Sequence, residues 1–141
     1  MKRAVWLTVL LLASSAWAHS YLVRSMPKAG QTVRVMPQTV QLEFSEPLEV
    51  NFSSFKIYAL PASSNPQQAA IALRARVLAL KNDTEARADA SLVSNASPVA
   101  RLELKLKDKL PSGWYVVMWR ALSIDGHVTT DQFAFLFQPR P

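Results

Sequence analysis

The chain has 141 residues, half of them apolar, with 16 Lys and Arg against 10 Asp and Glu, two His and no Cys. That size and apolar share suffice for one domain with its own core. The lack of Cys excludes a disulfide scaffold and thiolate ligation, and the scattered positive charge comes with no motif or aromatic–basic platform for nucleic acid.

Lys2 and Arg3 open the chain, an apolar run follows over residues 4–13, and the stretch SSAWA ends it with Ala at 16 and 18. A cationic start, an apolar stretch and an Ala-x-Ala end form a secretory signal peptide, so residues 1–18 are expected to be cleaved. The apolar run is about half the roughly twenty residues needed to span a bilayer. No Cys stands at the cleavage box for lipid attachment, and no later run is apolar enough to span. Residues 19–141 are therefore expected to form one exported domain with no membrane insertion after cleavage. Two of the 16 basic residues, Lys2 and Arg3, go with the leader, leaving 14 against 10 acids.

Beyond residue 18 the apolar pattern has mostly period two. SYLVRS gives a first strand. TVQLEFS places Val40, Leu42 and Phe44 on one face, and FSSFKIYAL alternates through Phe55, Ile57 and Ala59. VARLELKLK turns Leu102, Leu104 and Leu106 inward with Arg101, Glu103, Lys105 and Lys107 outward. GWYVVMWRAL is nearly continuous and fits a central strand buried on both faces, and QFAFLF supplies Phe133, Phe135 and Phe137. Such alternation, cut by Pro and Gly turns, predicts an all-β fold, an antiparallel Greek-key sandwich. One stretch departs from it. Asn65 is a good N-cap, Pro66 a good first helical residue, and Leu73, Val77 and Leu80 recur at helical spacing. The pattern predicts a helical insertion over residues 66–81, packed on one side of the sandwich and followed by a polar loop.

The chemistry gathers at two distant places. Cleavage after Ala18 would make His19 the terminal residue, whose α-amine and imidazole Nδ1 can close a six-membered chelate ring on a metal ion. In SIDGHVTT, Asp125 and His127 stand two apart and so point to the same side of an extended chain. Gly126 between them lets the backbone turn tightly. If the sandwich brings both places to one rim, the donors are three nitrogens and one oxygen, from His19, Asp125 and His127. Cu(II) prefers tetragonal N,O surroundings and heads the divalent affinity order, whereas Zn(II) seeks a tetrahedron. The expected ligand is one Cu(II) ion per chain. Met26, Met36 and Met118 are scattered and read as core packing.

These stretches resemble the CopC family of periplasmic copper-resistance proteins: HSYLVRSMPKAG, VQLEFSEPL, GWYVVMWRALSIDGH and FAFLF. The resemblance implies a sandwich of about seven strands, cupredoxin-like or immunoglobulin-like, and a Cu(II) site at His19, Asp125 and His127. It also implies a periplasmic location and, as a partner besides the copper ion, a membrane copper transporter of the CopD type. The chain departs from the family in its few Met, its longer helical insertion, and Val128 and Asp131 where Pro and Gly are usual. Asp131 is expected to face water.

The reading that follows is a non-enzymatic exported protein that carries or buffers Cu(II) for copper homeostasis and resistance. The alternative is a histidine-brace copper monooxygenase acting on polysaccharide, which shares a terminal His and a sandwich fold. Asp125 would crowd its open coordination position, and Trp114 and Trp119 lie in an expected core strand rather than on a flat binding face. A plain adhesion sandwich with an incidental His19 is the third reading.

Overall fold

The computed structural model describes residues 19–94 and 96–141. The expected leader, residues 1–18, lies outside the described residues. Eight strands and one helix follow in order: β1 (Leu22–Met26), β2 (Thr32–Val33), β3 (Thr39–Leu48), β4 (Ser54–Ala59), α1 (Pro66–Val77), β5 (Asp89–Val93), β6 (Val99–Leu106), β7 (Gly113–Leu122) and β8 (Val128–Phe137). They form two four-stranded sheets, β1-β3-β6-β5 and β2-β8-β7-β4. Every pairing is antiparallel except the two-residue β2, which lies parallel to β8. Neither β2 nor β5 is visible as periodicity. The first is too short, and the second lies where a polar loop is expected.

The core forms where the alternation placed it. Val40, Leu42 and Phe44 of β3 and Leu102, Leu104 and Leu106 of β6 are buried against Phe55, Ile57, Tyr115, Val117, Trp119, Phe133 and Phe135 of the other sheet. Phe137 is only half-buried at its edge. Apolar surface leaving water at about 25 cal/mol per Å² makes this inter-sheet layer the main stabilising term. In β7 all of residues 115–119 are buried, as the continuous run requires.

The insertion explains the second buried face. Asn65 caps α1 by accepting a hydrogen bond from the Gln68 amide at 3.1 Å, with Pro66 in the first turn. The helix packs Ala70, Val77 and Leu73 against Tyr58, Leu60, Val116 and Met118 on the outer face of the β4–β7 pair. β4 is therefore buried on both faces, and only Ala59 of the expected inward set is exposed. The helix stops at Val77, four residues short of the expected end, and Leu80 is left half exposed. The buried Lys56 ammonium accounts for this stop. It donates to the carbonyls of Val77 at 2.9 Å and Leu80 at 2.7 Å, and to the Asp83 carboxylate at 2.6 Å. Those chain-end carbonyls are satisfied by a side chain instead of a further helical turn. β5 is fixed the same way: fully buried Asp89 pairs with Arg87 and accepts from the Ile57 amide at 2.7 Å. Met26 is a correction, since it is 48% exposed on the outer face of its sheet; Met118 is in the core and Met36 packs at its margin.

One end of the sandwich carries the chemistry because β3 links the two sheets there. Its Ser45 is tied to Tyr21 by two hydrogen bonds, 2.9 and 3.1 Å. A few residues on, Leu48 bridges Ser123, and the Pro47 carbonyl accepts from the Ile124 amide at 3.2 Å. The start of β1 and the β7–β8 turn thus meet at one rim.

Candidate metal centre

The turn joining β7 to β8, residues 123–127, is organised by its own hydrogen bonds. The Ser123 amide donates to the His127 carbonyl at 2.9 Å, and the Gly126 amide donates to the Ser123 carbonyl at 2.9 Å. Gly126 has φ +88°, a left-handed conformation that side chains other than glycine resist. Within this turn Asp125 uses both oxygens. Oδ1 accepts from the His127 amide at 3.0 Å and from the Ser123 hydroxyl, and Oδ2 lies 2.8 Å from His127 Nδ1.

The electrostatics decide the direction of that last bond. The Ser123 hydroxyl, the His127 amide and the His127 ring hold the Asp125 carboxyl well below the usual carboxylate range. It is ionised at neutral pH and can only accept. His127 Nδ1 is therefore the donor, and in the neutral ring Nε2 carries the free lone pair.

His19 reaches this turn from the start of β1. Its ring centroid lies 5.5 Å from that of His127, with the planes tilted by 37°. A shallow depression beside it is lined by His19, Tyr21, Trp119, Val128 and Asp131. His127 is 58% exposed and Asp125 30%, so an ion can enter from solvent. Asp131 is exposed and accepts from the Gln132 amide at 2.8 Å. The structure thus brings together the two imidazoles that the sequence separates by more than a hundred residues. Asp125 accompanies them, engaged within its own turn. Among the described residues no group of three His, Asp or Glu side chains stands ready-made to hold an ion.

Three residues at this rim escape a reading of motifs. Ser123 is buried and supports Asp125. Glu46, just past the Tyr21–Ser45 link, has Oε2 buried without a hydrogen-bond partner among the described residues, as does Ser20 Oγ. The SEP stretch holding Glu46 was visible, but its burial was not.

The CopC domain model matches residues 22–138, nearly all of the described chain. The chain belongs to the CopC family. Protein YobA of Escherichia coli strain K12 is 31% identical over 129 residues, covering 92% of this chain and 86% of that one. Copper resistance protein C of Escherichia coli is 31% identical over 127 residues, covering 90% and 87%. Among solved structures, CopC from Methylosinus trichosporium OB3b superposes with a TM-score of 0.62 at 26% identity, covering 87% of this chain and 97% of that one. As a CopC protein it is a β-sandwich of a copper-binding, copper-resistance family, and its rim of facing imidazoles is where the sandwich gathers nitrogen donors.

Proposed function

We propose that this CopC protein is an exported, non-enzymatic Cu(II) carrier or buffer that works in the periplasm after loss of residues 1–18. One ion is held by the α-amine and Nδ1 of His19 and by Nε2 of His127, while the Asp125 carboxylate, 2.8 Å from Nδ1 on the other side of the ring, orients that imidazole; the direct Asp125–copper bond expected from the sequence would have to replace its bond to Nδ1. The observation that carries this reading is the 5.5 Å approach of the two imidazoles. An imidazole nitrogen binds a divalent ion such as zinc at about 2 Å, so nitrogens on rings this close reach one ion of that kind with small side-chain rotations. Three nitrogens, with a solvent oxygen to complete the set, suit tetragonal Cu(II). The Glu46 oxygen, buried and without a hydrogen-bond partner among the described residues, supports an amine at this rim, because such an oxygen is costly unless a donor meets it. Exposure of the site suits release to an acceptor, for which a membrane copper transporter of the CopD type fits an exported carrier. Among the described residues no helix is long and apolar enough to cross a membrane.

The test is a Cu(II) titration, read by electron paramagnetic resonance, of a chain beginning at His19 beside one with a single extra residue before it. The first should bind one ion with a tetragonal nitrogen-rich signal. The second should fold identically and lose much of its affinity. Equal affinities would sink the amine, and loss of the signal in neither that chain nor a His127→Ala variant would sink the site.

A further inference from the structure

We propose that Ser123 is a positioning residue for the metal centre: it holds the Asp125 carboxylate so that the His127 ring is locked with Nδ1 protonated and Nε2 left to bind the metal. The proposal deepens the reading of His127 as a copper ligand and rests on it.

Ser123 is 1% exposed and has no contact with solvent that would explain a polar side chain there. Its hydroxyl carries one proton, and two acceptors stand before it, Asp125 Oδ1 and the His127 carbonyl at 3.2 Å. The His127 carbonyl already receives the Ser123 amide. The carboxylate is charged, and a charge-assisted hydrogen bond is roughly twice as strong as a neutral one. The hydroxyl therefore donates to Asp125. With Oδ1 pinned by the hydroxyl and the His127 amide, the carboxylate plane is fixed, and Oδ2 is delivered to His127 Nδ1 at 2.8 Å. The relay runs Ser123 to Asp125 to His127, and its output is a choice of tautomer and ring direction. Hydrogen-bonded carboxylates behind a ligating imidazole are known to set its orientation, and their loss typically costs 10–100-fold in metal affinity. Ser123 stands one step further back, so the loss expected from its removal is smaller.

The backbone bonds of the turn do not use the hydroxyl, so Ser123→Ala retains them. Two measurements on Ser123→Ala, Ser123→Thr and the parent chain beginning at His19 test the proposal. Long-range nitrogen–proton correlation spectra of the metal-free proteins report the His127 tautomer, and competition against a chelator of known affinity reports Cu(II) binding. The parent should show His127 almost wholly protonated at Nδ1. Ser123→Ala should show a mixture of tautomers and a Cu(II) dissociation constant raised about three- to tenfold, and Ser123→Thr should restore both. An unchanged tautomer in Ser123→Ala overturns the proposal. A changed tautomer with unchanged Cu(II) affinity upholds the relay and instead removes His127 from the copper site, so the two failures are separable.

Discussion

Lys56→Met is the sharpest test of how the insertion is held. The Lys56 ammonium is almost wholly buried, 4% exposed, and makes three hydrogen bonds, to Val77 O, Leu80 O and Asp83 Oδ2. Methionine keeps the apolar stem but leaves two buried carbonyls and most of a buried carboxylate without their partner. Removing one member of a buried ion pair costs about 3–5 kcal/mol, because the stranded charge stays desolvated. Arg87, 3.9 Å from the other Asp83 oxygen, and the Tyr58 hydroxyl on Oδ2 remain and moderate that loss, so about 3 kcal/mol is expected. Urea unfolding followed by tryptophan fluorescence measures it. The double variant Lys56→Met with Asp83→Asn should recover part of the loss, since no charge is then stranded.

Acid supplies an independent check. Burial disfavours the Asp83 anion, but hydrogen bonds from Lys56 and Tyr58 outweigh it and hold the carboxyl below its ordinary value. Its stabilising contribution is therefore complete above an unfolded carboxylate pKa of about 3.9 and is lost as pH falls through the lower folded value. The gap between parent and Lys56→Met should be full at neutral pH and narrow as acid protonates Asp83, first in the variant, where the ammonium no longer opposes the effect of burial. A variant as stable as the parent at neutral pH, or a gap independent of acid, would refute the idea that this ion pair fastens the helix.

Other outcomes follow from the same geometry. Leu104→Ala, at a fully buried position between the sheets, should cost about 3–4 kcal/mol in chemical denaturation. Gly126→Ala meets no neighbour within 4 Å, so its effect is backbone strain alone, a loss of about 1 kcal/mol in thermal unfolding with a weakened Asp125–His127 bond seen in the His127 ring signals. Cu(II) affinity should fall from about pH 7.5 to about pH 5, because amine and imidazole donors must shed protons to bind; an affinity flat over that range in a chelator competition would contradict the nitrogen donors.

The sequence by itself determined most of the sheets. Val40, Leu42 and Phe44, and Leu102, Leu104 and Leu106, needed only a period of two to declare which face is buried, since successive side chains on a strand point oppositely. It also supplied the start of α1 through Asn65 and Pro66, and the candidate donors His19, Asp125 and His127. What only the tertiary structure decided depends on partners far along the chain. α1 ends where Lys56, 21 residues before Val77, takes its carbonyls. β5 exists because Asp89 pairs with Arg87 and the Ile57 amide, and β4 is dry on both faces because the helix lies over it. The meeting of His19 with His127 likewise belongs to no local pattern. It arises because β3 pairs with β1 on one side and ends against the β7–β8 turn on the other. A local periodicity can say which way a side chain points, but only the packed sheets fix what it points at.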